Sequence, residues 1–306
     1  MQLSRITKKE NYGSKLMQTI TLIGVGLIGS SLALDLKQNN IAQTIIGVDS
    51  NGNNLSLALE QGIIDVATND LDEQSANSDM IIIAVPVMAV QTIAEKLTPL
   101  LNNPNTIITD VGSSKQKIIE IFRSTLPDYF ANFVAAHPIA GSDKSGSKSA
   151  ISGLFKHKKL IICPHEKQNS ASLKTVQNMW EKIGANCHIM NATEHDYIFA
   201  IVSHLPHLLS FAFMHQADSY NDSQKLLSFA GTGFQDFTRI AASNPNVWTD
   251  ITFSNKTEIL NCINDFEANV RIMKQAIENN DKNALKEFFQ AACNARRDWS
   301  KNNEQH

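Results

Sequence analysis

The stretch Thr19-Ile20-Thr21-Leu22-Ile23-Gly24-Val25-Gly26-Leu27-Ile28-Gly29 decides how the chain begins to fold. An apolar, β-branched run of strand length, Thr19 to Ile23, meets three glycines spaced G-x-G-x-x-G. An amphipathic stretch carrying Leu32, Leu34 and Leu36 follows. In a strand, turn and helix of this kind Gly24 makes the tight turn, Gly26 lets phosphates approach the backbone, and Gly29 lets helix and strand pack closely. Unpaired amides at the helix start, around Leu27 and Ile28, then face the phosphates. Asp49 closes the next apolar run twenty residues after Gly29, where a carboxylate can bind both hydroxyls of a ribose. Together Gly24, Gly26, Leu27, Ile28, Gly29 and Asp49 predict a dinucleotide site. Asp49 would repel a 2′-phosphate, and no Lys or Arg lies from Gln38 through Glu95 to attract one. Charge therefore favours NAD over NADP.

Working outward, short apolar runs recur at Thr44–Val48, Met80–Val85, Thr106–Thr109, Phe133–Ala136 and Leu160–Cys163. Most are separated by stretches of helical length and pattern, such as Ile28–Lys37, Asn54–Gln61, Val87–Leu97 and Ser113–Phe122. Apolar strands alternating with helices imply a doubly wound α/β domain with a mostly parallel sheet. In such a sheet the Ala84-Val85-Pro86 turn, at a carboxyl strand end, should lie against the cofactor, adding Val85 and Pro86 to its site. Twelve of the 14 glycines and six of the 8 prolines lie at or before Gly184. Beyond that point the periodicity turns helical, with helices expected near Thr193–Asp218, Asp222–Phe229, Asn246–Ile251, Asn255–Ile277 and Lys282–Ser300. The chain thus divides into a polar leader at 1–17, expected to be disordered, a dinucleotide-binding domain at 18–190, an all-helical domain at 191–300 and a tail at 301–306.

Composition narrows the function. The 306 residues are 42% hydrophobic and 19% charged, with a formal charge of −3. Without a long basic run, neither nucleic acid nor an anionic membrane is the expected partner, which leaves a small molecule. The run Met80–Val90, interrupted by Pro86, is about half the roughly 20 residues that span a bilayer. The leader lacks the apolar core of a signal peptide. Cys163, Cys187, Cys262 and Cys293 show no C-x-x-C spacing and read as reduced thiols, which points to the cytoplasm.

Polar residues also stand where a core would not want them. In Asp110-Val111-Gly112-Ser113-Ser114-Lys115, Ser113 either caps a helix or faces a ligand. His137 ends a strand and enters the loop His137-Pro138-Ile139-Ala140-Gly141-Ser142-Asp143, at the ligand-bearing edge of the sheet. In Ser203-His204-Leu205-Pro206-His207-Leu208-Leu209-Ser210, His204, His207 and Ser210 share one helical face between apolar flanks, the pattern of a cavity wall or of hydrogen-bonded core histidines. The H-x-x-H spacing suits zinc, but no third ligand is evident, so no metal is assigned. In Gly231-Thr232-Gly233-Phe234-Gln235-Asp236-Phe237-Thr238-Arg239, Arg239 either pairs with Asp236 or forks a substrate carboxylate. Trp248 follows nine residues later.

In this order the motifs G-V-G-L-I-G, D-V-G-S-S-K, H-P-I-A-G-S, S-H-L-P-H and G-T-G-F-Q-D-F-T-R resemble those of the prephenate and arogenate dehydrogenase family, from about Gln18 to about Ile251. The resemblance implies a Rossmann-type domain followed by a helical dimerisation domain, hence a homodimer. It implies NAD-dependent oxidative decarboxylation of prephenate, or of arogenate, in tyrosine biosynthesis. By position it makes His137 the catalytic histidine and Ser113 its support. It assigns His204, His207, Ser142, Arg239 and Trp248 to the substrate pocket, with Arg239 on a carboxylate. The residues outside the two domains are too few for a further domain, so a stand-alone enzyme is expected. A β-hydroxyacid dehydrogenase of similar shape, which would need a catalytic Lys on the helix after the sheet, and a non-catalytic NAD-binding protein are the alternatives.

Overall fold

A computed structural model describes residues 17–141 and 146–303. The leader at 1–16, Ser142, Asp143 and the end of the tail lie outside the described residues. Eight strands form one sheet: β1 (Met17–Ile23), β2 (Ala42–Val48), β3 (Val66–Thr68), β4 (Met80–Ile83), β5 (Ile107–Asp110), β6 (Phe133–Pro138), β7 (Lys159–Cys163) and β8 (Asn186–Ile189). Their order is β3-β2-β1-β4-β5-β6-β7-β8. Every neighbouring pair is parallel except β6 with β7.

Between the strands run α1 (Leu27–Gln38), α2 (Gly52–Glu60), α3 (Glu73–Ala76), α4 (Val90–Leu97), α5 (Gln116–Thr125) and α6 (Ser170–Lys182). They cover both faces, which is why the strand sequences are continuously apolar: Met80 and Ile82 enter one core cluster, Ile81 and Ile83 the other. Leu32, Leu160 and Trp180 fill the first face; Ile108 and the stacked rings of Phe122 and Phe133, 3.9 Å apart, fill the second. The two strands not expected from sequence, β3 and β8, are the sheet's edges. They are short and mostly exposed, so no apolar run marks them.

The second half is helical: α7 (Ala192–Phe199), a π-helical turn at Ala200–His204, α8 (Leu205–Asp218), α9 (Ser223–Ser228), α10 (Thr232–Thr238), α11 (Pro245–Ser254), α12 (Lys256–Glu278) and α13 (Lys282–Asn303). The expected helix at Thr193–Asp218 is continuous but not uniformly α. Pro206 has no N–H to return to the preceding turn, and the wider π-turn lies directly before it. At 27 residues, Ala192–Asp218 is long and apolar enough to cross a membrane by length and composition, although only 22% of its most apolar window is buried. This corrects the expectation, drawn from Met80–Val90 alone, that no segment reaches spanning length. The same run carries Glu194, His195, Asp196, His204 and His207, polar groups a lipid-facing helix would not favour. Helix α10, with Gly231 at its start and Gly233 inside it, lies outside the helices expected from periodicity.

Helix α1 lies so close to β1 that a β-carbon on Gly29 would overlap the Gly24 carbonyl oxygen and press on Leu22, whereas one on Gly26 would meet nothing within 4 Å. Gly29→Ala should therefore lower unfolding free energy by about 1–3 kcal/mol, and Gly26→Ala by less than about 1 kcal/mol. Urea denaturation of both variants checks this, and equal losses would contradict it.

Candidate active site

Strand order reverses at β1, whose neighbours β2 and β4 depart in opposite directions, and this opens a crevice at the carboxyl ends of β1 and β4. Gly24 turns there at φ +97, a conformation L side chains rarely adopt, and a β-carbon on it would strike the Ala84 carbonyl. The Ala84-Val85-Pro86 turn therefore packs directly on the glycine loop, with Val85 half-buried and Pro86 exposed. No side chain caps the start of α1, so its first amides at Leu27, Ile28 and Gly29 remain available, and the space beside Gly26 is open. Asp49 accepts one backbone hydrogen bond on each carboxylate oxygen, from Val25 (2.7 Å) and Asn51 (2.8 Å). Each oxygen keeps a lone pair for a ribose hydroxyl. The open cradle at Gly26, the uncapped helix start and the fixed carboxylate fit a dinucleotide.

Across the sheet, the end of β6 meets the helical half in a cleft of about 630 Å³, lined by His137, Gly141, Phe199, Ser203, His207, Arg239 and Trp248 among others. His207 stacks on Trp248 with centroids 3.6 Å apart, and its Nδ1 donates to the Ser203 carbonyl. Arg239 forms no ion pair among the described residues, so the expected alternative of a pair with Asp236 is not realised. Burial holds the His207 imidazole below its usual range; the Ser203 hydrogen bond works against this and the Arg239 charge adds a smaller push the same way as burial.

Behind His137 lies a fully buried charged cluster. Lys115 Nζ contacts Asp110 Oδ2 at 2.5 Å and donates to the Ala136 carbonyl at 2.6 Å. Asp110 also accepts from the Gly112 and Ala136 amides. Helix α5 begins next to this pair without a cap of its own. Instead the Asp196 carboxylate, from α7, accepts the Lys115 and Gln116 amides at 2.8 and 3.0 Å. Asp196 Oδ1 also receives His195 Nδ1 at 2.8 Å, and His195 Nε2 meets His137 Nδ1 at 2.8 Å. Burial would raise the Asp196 carboxyl, but the hydrogen bonds from His195, Lys115 and Gln116 outweigh it and hold the group below the usual carboxylate range. Burial, followed by the charges of His195, Lys115 and His204, pushes His137 well below the usual histidine range.

Three expectations need correcting. His204 is not in the cleft: it is 1% exposed and its Nδ1 meets the Asn255 amide at 3.3 Å, so it is the core histidine of the alternative reading. The π-turn divides the expected stripe, leaving His207 on the cleft wall and Ser210 bonded to the Phe237 carbonyl. Ser113 does not cap α5, which starts three residues later, nor does it line the cleft. The group on His137 Nδ1 is His195. Sequence reasoning missed His195, Asp196, Asp110, Lys115 and Asn255. No local pattern marks them: Lys115 lies in the polar run Ser113-Ser114-Lys115-Gln116-Lys117, and His195-Asp196 follows Thr193-Glu194.

A dinucleotide crevice beside a cleft holding a histidine and an unpaired arginine defines a nicotinamide-dependent oxidoreductase acting on a small anion. The family profile "prephenate dehydrogenase, nucleotide-binding domain" matches residues 32–189, and "prephenate dehydrogenase, dimerization domain" matches 191–291. The chain is 33% identical over 282 residues to prephenate dehydrogenase of Bacillus subtilis, covering 91% of this chain and 75% of that one. It is 29% identical over 279 residues to cyclohexadienyl dehydrogenase of Zymomonas mobilis, covering 90% and 94%. It is also similar to the crystal structure of Aquifex aeolicus prephenate dehydrogenase in complex with hydroxyphenyl propionate and NAD+, with a TM-score of 0.85, 33% identity and coverage of 92% and 98%. The chain belongs to the prephenate dehydrogenase family and is an NAD-dependent oxidoreductase of tyrosine biosynthesis.

Burial lowers His204 from 6.5 to about 4, so the folded protein holds it neutral while the unfolded chain protonates it below pH 6.5. The unfolded state then binds more protons, and the stability present above pH 6.5 is lost as pH falls towards 4. The stability advantage of wild type over His204→Asn should shrink by about 2 kcal/mol between pH 7.5 and 5. Denaturation at both pH values measures it, and a constant difference would show that folding does not shift His204.

Proposed function

We propose that the chain oxidises prephenate to 4-hydroxyphenylpyruvate, or arogenate to tyrosine, with His137 as the proton acceptor. Position carries this reading: His137 ends β6 at the carboxyl edge of the sheet, in the same cleft as Arg239 and between the dinucleotide crevice and the helical half. NAD, when bound, supplies the hydride acceptor. The protein must align the ring C4 with it, take the hydroxyl proton and hold the substrate's carboxylates. As hydride leaves C4, His137 takes the hydroxyl proton; the C1 carboxylate then departs as CO₂, its bonding electrons completing the aromatic ring, and His137 returns the proton to the ring oxygen.

Arg239 forks a carboxylate, and Trp248 orients His207 by stacking. His207 Nε2 accepts from an ammonium when neutral and donates to a carboxylate when protonated, so it serves either side chain. Ser142, outside the described residues, is assigned to this pocket by family position alone. The Ala192–Asp218 helix and its neighbours leave Val202, Phe229 and Phe253 exposed at 63%, 83% and 63%, which suits burial against a second copy in a homodimer. That partner supports reading Ala192–Asp218 as an interface helix rather than a membrane span. The four cysteines are free thiols, which suits a reducing cytoplasm. The partners proposed are thus a small anion and a second chain, without nucleic acid or membrane.

A spectrophotometric assay of NADH formation with prephenate and with arogenate tests the reading, and no turnover of either would overturn it. His137→Asn should lower kcat by about 10²- to 10⁴-fold with NAD affinity kept. The acid limb of kcat/KM should fall below pH 6.5, because the cluster depresses His137. Arg239→Ala should raise the substrate KM by at least about 30-fold, since truncating a bidentate charge pair costs about 2–5 kcal/mol, with the NAD KM unchanged. An unchanged substrate KM would remove Arg239 from the site.

A further inference from the structure

We propose that Asp196 and His195 are positioning residues that fix His137 in the one tautomer able to accept the substrate proton. The inference rests on the reading of His137 above and deepens it. An ionised carboxylate can only accept, so the 2.8 Å contact with Asp196 requires the hydrogen on His195 Nδ1. Neutral His195 then offers a bare Nε2, and the 2.8 Å contact there must be donated by His137 Nδ1. His137 is left with an unprotonated Nε2, the ring nitrogen not engaged by His195, for the cleft. The order of donors is set from the buried end.

The groups around His137 agree with this direction. Asp196 is held as an anion by the two amides that open α5. Burial opposes an imidazolium most, and Lys115, paired with Asp110, adds to it. Together they keep His137 neutral in the resting enzyme. When the hydroxyl proton moves to Nε2, the new positive charge is met through His195 by the Asp196 carboxylate. Phe199, packed edge-on to His137 and tilted on His195, keeps the pair aligned. Asn255 donates to the Asp196 carbonyl at 2.7 Å and ties the relay to α12.

The test compares full-length His195→Leu, His195→Gln and Asp196→Asn with His137→Asn. Leucine cannot accept from His137 Nδ1, so kcat should fall about 10²-fold while substrate KM and NAD affinity stay within about threefold. Glutamine places an amide oxygen near the former Nε2 and should recover at least tenfold of that loss, a rescue that mere packing would not give. Asp196→Asn retains an acceptor but loses the charge, so the acid limb of kcat/KM should move to lower pH. Equal kcat in the Leu and Gln variants, or an unmoved acid limb in Asp196→Asn, would overturn the relay. Should His195→Leu fail to fold, the Asp196→Asn profile decides alone. Loss of activity in His137→Asn with wild-type kcat in His195→Leu overturns the relay only, whereas wild-type kcat in His137→Asn overturns the reading of His137 itself.

Discussion

The buried contact between Lys115 and Asp110 is the constraint around which this site is built. A buried ammonium is tolerated only with a partner and with its remaining donors satisfied, and removing one member of such a pair costs about 3–5 kcal/mol. Here the partner ends β5, and a second acceptor, the Ala136 carbonyl, lies in β6 directly before His137. One side chain thus sets the relative position of two strand ends and of the helix start that follows them. His137 is placed by the same contact.

Helix α5 begins inside the protein with its amides unpaired, and the carboxylate that satisfies them comes from the other half of the chain. Asp196 thereby joins the sheet domain to the first helix of the helical domain and organises the histidine beside it. Asn255 and the π-turn continue the connection: Asn255 bonds both the Asp196 carbonyl and His204, and the altered winding separates a buried His204 from a cleft-facing His207. The histidine stripe is packed in the core at one position and lines the cleft at the next.

What sequence revealed follows from the range of the interactions. The glycine turn, Asp49 and the buried strands are local patterns, since a turn of positive φ and a two-faced strand each constrain their own residues. The edge strands β3 and β8 were illegible because exposure removes the apolar signal. His137, His207, Arg239 and Trp248 converge on one cleft, as the family resemblance implied. His195, Asp196, Lys115 and Asp110 escaped notice because their significance lies in contacts across 81 positions of chain, as between Lys115 and Asp196. His204 was misplaced because spacing alone cannot register a π-turn.

Everything in the site converges on the protonation pattern of His137, and nitrogen-15 NMR of histidine-labelled enzyme in its NAD complex reads it directly. Neutral His137 with its hydrogen on Nδ1 and an unprotonated Nε2, persisting below pH 6.5, is the predicted result. An Nε2-protonated tautomer, or an imidazolium at pH 7, would contradict it.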